Sequence, residues 1–143
     1  MTVVQCHGTF NILHYGHLIY LQFARTLGDV LIVTVTAKEF VHRPGVHILE
    51  DHQRIAMLRA LAVVDDVKLI YAPGAEEAIR KVKPDYYVKG REYEGRLPEH
   101  RLVESYGGKV VFHYDEEASP IKSTQMLKYI KEQHARESAG SDQ

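Results

Sequence analysis

VVQCHGTFNILHYGHLIYLQFARTLGDVLIVTVT, residues 3–36, carries the fold in a single stretch. It opens on an apolar run, 3–6, and closes on a second, β-branched one, 30–35. Between them Leu18, Tyr20, Leu21, Phe23, Ala24 and Leu27 recur at the spacing that gathers apolar side chains on one broad helical face. Gly28 follows at the position where helices commonly end. Strand, turn, amphipathic helix and strand in that order make a βα unit around a parallel sheet. The turn itself, GTFNILHYGH at residues 8–17, holds two glycines and two histidines, and that choice asks for a reason.

The same alternation continues downstream. Further strands are expected at 67–71, 86–89 and 109–113, five in all, with little polar alternation in the second and fifth, as strands covered on both faces require. A second helix opens near Glu50 or Asp51, with Ile55, Leu58, Leu61 and Ala62 as its apolar set and acidic residues where the helix dipole favours them. Pro73-Gly74 turns into a third helix over 75–82, stopped by Pro84. A fourth covers 97–105, closed by Gly107-Gly108, and a last one about 123–134 carries Met126, Leu127 and Ile130. The expectation is an α/β, Rossmann-like doubly wound parallel sheet of about five strands in a single domain, 1–134, followed by a solvated tail, 135–143.

Composition narrows the function classes. The net charge of −1 gives no global pull toward nucleic acid or a membrane surface, so anion binding has to be local. No apolar run approaches the roughly 18 residues of a spanning helix, and MTVVQCHG lacks a basic segment followed by an apolar one, so the default expectation is a cytoplasmic protein with no membrane partner. Cys6 is the only cysteine; it sits in an apolar run and reads as a small buried hydrophobe. His42, His47 and His52 recur every five residues, a period of neither helix nor strand, and read as solvated rather than as zinc ligands. KVKPDYYVKGREYEGR, residues 81–96, interleaves cations with tyrosines, but opposite charges are mixed in and Tyr86 and Tyr87 belong to a strand, so nucleic acid is not the expected partner.

In open α/β sheets ligands sit beyond the carboxyl ends of the strands, where strand order reverses, often at the start of the first helix. Unpaired N–H groups and the helix dipole make that start a phosphate site. Residues 8–17 occupy it: Gly8 and Gly16 keep side chains out of the way, and His14 and His17, three apart at the helix start, face one side and can both donate to one polyphosphate. A His-x-x-His pair is also half of a metal site, but the strand before, the helix after and the flanking glycines favour phosphate. Neither G-x-G-x-x-G nor G-x-x-x-x-G-K-[ST] is present, which argues against a dinucleotide oxidoreductase or a P-loop NTPase.

H-x-G-H after G-T-F, on the first strand-to-helix turn, resembles the nucleotidyltransferase superfamily that includes glycerol-3-phosphate cytidylyltransferase and the adenylyltransferase domain of heptose-phosphate enzymes. YLQFARTLGDVLIV, LEDHQRIAMLRALAVVDDV, KPDYYVKGREY, GGKVVF and IKSTQMLKYI extend the likeness in order along nearly all of residues 1–133, and PDYYVKG is most similar to the heptose type. The resemblance implies transfer of a nucleoside monophosphate from ATP or CTP to a phosphorylated small molecule, a sugar phosphate first and a glycerol or other polyol phosphate second. Mg2+ would arrive with the triphosphate, no protein ligand set for a metal is expected, and a homodimer is implied. It implies further that Thr9 and Phe10 offer backbone amides to phosphate beside Gly8, Asn11 and Gly16, and that His14 and His17 bind the triphosphate and stabilise charge at the α-phosphorus. Arg54 would lie near the phosphates as a third catalytic residue, Lys38 and Arg43 would bind phosphate from the loop after the second strand, and Lys89 and Gly90 would build the nucleobase pocket. Ser123 and Thr124 would hold the outgoing phosphates.

Three departures stand out. Most relatives have Asp where this chain has Asn11, and Gly-Asp or Asp-Asp where it has Arg91-Glu92; the arginine and tyrosine of glycerol-type relatives are replaced in Ala62-Val63-Val64-Asp65. A non-catalytic nucleotide-binding module is the alternative that these departures leave open.

Overall fold

A computed structural model describes residues 1–114 and 123–141. Its strands are β1 (Val3–Gly8), β2 (Val30–Thr36), β3 (Asp66–Ile70), β4 (Tyr86–Gly90) and β5 (Lys109–His113), and its helices α1 (Tyr15–Arg25), α2 (Asp51–Arg59), α3 (Glu76–Val82), α4 (His100–Ser105) and α5 (Ser123–Ser141). The five strands form one sheet in the order β3-β2-β1-β4-β5, and every pairing is parallel. The expected α/β doubly wound architecture is the one found.

Alternation along each strand divides the core. On one face Val4, Cys6, Leu31, Val33, Val35, Val67 and Val88 pack with Leu21 and Ala24 of α1 and Leu58 of α2. On the other, Tyr87 packs with Ile79 of α3, Leu97, and Val103 of α4. Residues of this kind contribute roughly 1.5–3 kcal/mol each on burial, so the two layers hold the sheet rigid enough to carry a precise edge. Cys6 is fully buried, and burial pushes its thiol up to about 12, the behaviour of an inert core residue.

The helices end differently from the sequence reading. α1 stops at Arg25, with Thr26 as its C-cap. Gly28 answers to another demand: a Cβ there would lie 2.8 Å from the Thr2 carbonyl oxygen, so only glycine lets this turn pass under β1. α2 stops at Arg59, yet Leu27 and Leu61, both past their helices, still pack on the core. α4 begins at His100 rather than Leu97. α5 continues beyond the expected 134 to Ser141, so most of the expected tail, 135–143, is helical, with residues 135–138 exposed. Lys131 of α5 donates to the Gly45 carbonyl at 3.0 Å and so reaches the loop after β2.

A candidate nucleotide site at the fork between β1 and β4

Strand order reverses between β1 and β4, and there the sheet opens. β1 stays paired with β2 as far as Gly8–Val35, but with β4 only to Cys6–Val88. Past that point the two central strands diverge, and the His7 carbonyl, left without a β4 partner, accepts from Lys89 Nζ at 3.0 Å. Tyr20 of α1 donates its hydroxyl to the Val88 carbonyl, closing the near wall of the fork. The strand reaches His7 and Gly8, two residues beyond the expected 3–6, because β2 continues to pair with them.

The turn leaving β1 is held in an uncommon conformation. Phe10 has φ +49°, in the left-handed region that bulky residues rarely enter, and it is buried. Nothing in the residue type announces this. A Cβ on Gly8 would meet the Phe10 ring at 3.0 Å, so the space kept open by Gly8, expected for a ligand, is occupied by that ring. The ring also lies 5.5 Å from that of His17, bracing it.

His14 and His17 meet as the spacing predicts. His14 is the N-cap of α1, its Nδ1 accepting from the Gly16 N–H at 3.1 Å, while His17 Nδ1 accepts from the His14 N–H at 3.3 Å. Their ring centroids are 4.0 Å apart. An Nδ1 that accepts carries no proton, so in each neutral ring the proton sits on Nε2. The backbone thus sets both tautomers and leaves two Nε2–H donors at the helix start, where partial positive charge already favours phosphate. Burial lowers the pKa of His14 and, helped by His14, pulls His17 down to about 4.

His7 is a third histidine of the fork, missed in the sequence because it reads as the first loop residue. His7 Nδ1 and the Thr34 hydroxyl share a hydrogen bond at 2.9 Å, His7 Nε2 and the Thr36 hydroxyl share one at 3.2 Å, and Thr34 Oγ lies 3.4 Å from the Cys6 carbonyl. Gln5 Nε2 donates to the same Thr34 oxygen at 2.9 Å. Burial, with the Lys89 charge beside it, pulls His7 down to about 4. In the unfolded chain these histidines titrate near 6.5, so below that pH the unfolded state binds protons that the fold refuses, and stability falls as pH drops from 6.5 toward 4. For His7 alone, 7 % exposed, lowering pH from 7 to 5 costs about 2 kcal/mol, a Tm drop of roughly 4–8 °C. Thermal melts at the two pH values check this, and an unchanged Tm refutes it.

Other expected site residues face inward. Arg54 is 1 % exposed. Its Nε donates to the Leu49 carbonyl at 3.0 Å, its Nη1 to the Thr9 and Thr36 carbonyls at 3.0 and 2.8 Å, and its Nη2 to Asp51 at 2.6 Å. Arg54 so placed ties the start of α2 to the ends of β1 and β2, and its described contacts are to the protein itself. The Asn11 side chain is engaged likewise, its amide donating to the His47 carbonyl and accepting from the Leu49 N–H, both at 2.8 Å. That two-way bond needs both a donor and an acceptor, which an aspartate does not offer. Lys38 pairs with Glu50 at 2.6 Å, and Arg43 is exposed in the loop and pairs with no side chain among the described residues. Neither is brought to the histidines by any described contact.

Lys89 and Gly90 do reach the fork. The Lys89 ammonium lies 5.9 Å from the Tyr87 ring centroid and 5.1 Å from that of Tyr93. The Glu92 carboxylate folds over Gly90 so closely that a Cβ there would come within 2.3 Å of it. Gly90 thus makes room for a side chain of its own loop. Ser123 and Thr124 open α5, and their side chains lie outside the described residues.

The chain is similar to several known proteins. A family model described as cytidylyltransferase-like matches residues 5–136. The D-beta-D-heptose 1-phosphate adenylyltransferase of Bordetella bronchiseptica is 40% identical over 114 residues, 76% of this chain and 70% of that protein. The bifunctional protein HldE of Desulfatibacillum aliphaticivorans is 35% identical over 133 residues, 90% of this chain, which spans only 27% of that longer protein. Among solved structures, the lipopolysaccharide core biosynthesis protein of Thermoplasma volcanium aligns with a TM-score of 0.65 and 29% identity over 80% of this chain and 99% of its own. Pantoate-beta-alanine ligase of Francisella tularensis, at 16% identity and a TM-score of 0.61 over 88% of this chain and 65% of its own, shares the fold.

Proposed function

The chain belongs to the cytidylyltransferase-like family, and on that premise we propose that it transfers a nucleoside monophosphate from a nucleoside triphosphate to a phosphorylated sugar. The observation that carries this reading is the pair of Nδ1-anchored imidazoles, which leaves two Nε2–H donors at the start of α1. The adenylyltransferase name of the relative from Bordetella bronchiseptica supports ATP as the nucleotide and a heptose 1-phosphate type of sugar as the acceptor. The catalytic unit of the proposal is residues 1–134, acting in the cytoplasm as a homodimer.

The chemistry asks little of covalent catalysis. An oxygen of the acceptor phosphate, already ionised, attacks the α-phosphorus; the bond from that phosphorus to the bridging oxygen breaks, and pyrophosphate leaves with the electron pair. No general base is needed. The nucleotide enters as its magnesium complex, the metal counted with the substrate. The Asn11 amide, bonded on both sides to the 47–49 backbone, is no carboxylate ligand for it. What the chain supplies is alignment and fixed donors matched to the charge of the transition state.

Incubation with each nucleoside triphosphate, magnesium, pyrophosphatase and a panel of sugar, glycerol and polyol phosphates tests the reading. Phosphate release is expected with ATP and a sugar 1-phosphate. Release only with glycerol or polyol phosphates moves the acceptor class, and nucleotide binding with no release for any acceptor leaves a binding module.

A further inference from the structure

Register partners in a parallel sheet send their side chains to the same side, and side chains alternate along each strand. Cys6, Val33 and Val88 therefore mark the face covered by α1. Tyr87 marks the opposite face, under α3 and α4, and Lys89, two residues on, shares it. The fork between β1 and β4 has His14 and His17 at the start of α1 on one side, and the Lys89 ammonium with the His7 imidazole on the other.

That division matters for the transfer proposed above. In-line displacement at the α-phosphorus requires attacker and leaving group on opposite sides of it. With the triphosphate tail gripped at the start of α1, the attacking oxygen arrives from the Lys89 side. We propose that Lys89 binds the phosphate of the acceptor, and not the nucleobase; the assignment rests on the transferase reading. The acceptor class it fits is a cyclic sugar phosphate. The His7 carbonyl takes one of the three ammonium donors at 3.0 Å, and among the described residues no carboxylate forms an ion pair with Lys89. Tyr93, 40 % exposed and beside the ammonium, offers a ring face for the C–H side of a sugar. Desolvation lowers the Lys89 pKa while Glu99, Cys6 and Glu92 oppose that shift. A dehydrated cation with open donors gains more from an anion than one in bulk water. Lys89 transfers no proton; it orients an oxygen nucleophile and offsets its charge.

Steady-state pyrophosphate release decides the matter, with acceptor and magnesium–ATP varied in turn. Lys89→Met is expected to raise the acceptor KM roughly 30-fold, the loss of one charged hydrogen-bond donor, while the ATP KM changes less than about threefold. Lys89→Arg recovers part of the loss. A rise confined to the ATP KM overturns the assignment. Acetylation footprinting of the wild type gives a second readout that does not depend on the variant folding: sugar phosphate alone protects Lys89 and magnesium–ATP alone does not, and the reverse pattern overturns the proposal. Absence of wild-type turnover with every acceptor refutes the transferase reading instead, and the footprint then judges Lys89 separately.

Discussion

His17→Gln is expected to cut turnover about 100- to 1,000-fold while leaving the melting temperature close to that of the wild type. The two effects separate because the histidine has two jobs on two different nitrogens. Nδ1 accepts from the His14 N–H at 3.3 Å and helps close the first turn of α1. A glutamine at the third helical position reaches back to the N-cap in the same way. In the proposed reading Nε2–H is the donor to the nucleotide, and glutamine does not place an N–H there once its oxygen is bound to the backbone. Loss of one preorganised donor to a charged transition state costs about 3–4 kcal/mol. His14→Asn is the matching variant, since asparagine is a good N-cap and preserves the bond now made by Gly16. His17→Ala, by contrast, loses both jobs and is expected to be less stable as well as slow. Steady-state kinetics beside thermal melts for the three variants checks the scheme; a His17→Gln enzyme within fivefold of wild-type kcat refutes it.

The strands and the histidine turn are the legible part of this molecule. β-branched runs such as VLIVTV admit few alternatives, and a His-x-x-His pair between strand and helix is placed by chain order alone. Less legible is what happens to a polar residue once the chain folds back on it. Asn11 and Arg54 look like ligand-binding groups, because a sequence shows their donors without showing the carbonyls of Thr9, Thr36, His47 and Leu49 that consume them. The left-handed backbone of Phe10 is invisible for a related reason, being imposed by its buried ring and not by any local preference. His7 lies beyond the end of the apolar run, and where a strand ends depends on the neighbouring strand. The resemblance supplied positions for these residues, and only the packing separates those that face the fork from those that hold it in shape.

Arg54→Ala is the variant that tests this separation most severely. The guanidinium bonds three backbone carbonyls and one carboxylate with no solvent-facing side of its own, so truncation strands the Leu49, Thr9 and Thr36 carbonyls, while the partly exposed Asp51 loses its ion pair but keeps the Lys38 N–H. Breaking such a buried charged network costs about 3–5 kcal/mol, on the order of 10–20 °C in Tm for a domain of this size. Arg54→Lys does not rescue it, since a single ammonium has no planar fork to reach Leu49, Thr9, Thr36 and Asp51 together. A phosphate-binding arginine would behave in the opposite sense: removing an unpaired cation from a positive site leaves stability unchanged or higher, and the loss appears in the nucleotide KM. Differential scanning fluorimetry of Arg54→Ala and Arg54→Lys against nucleotide titration distinguishes the two. A stable Arg54→Ala protein with weakened nucleotide binding returns Arg54 to the phosphates, whereas a large Tm loss that saturating nucleotide does not repair fixes it as the clamp behind the turn.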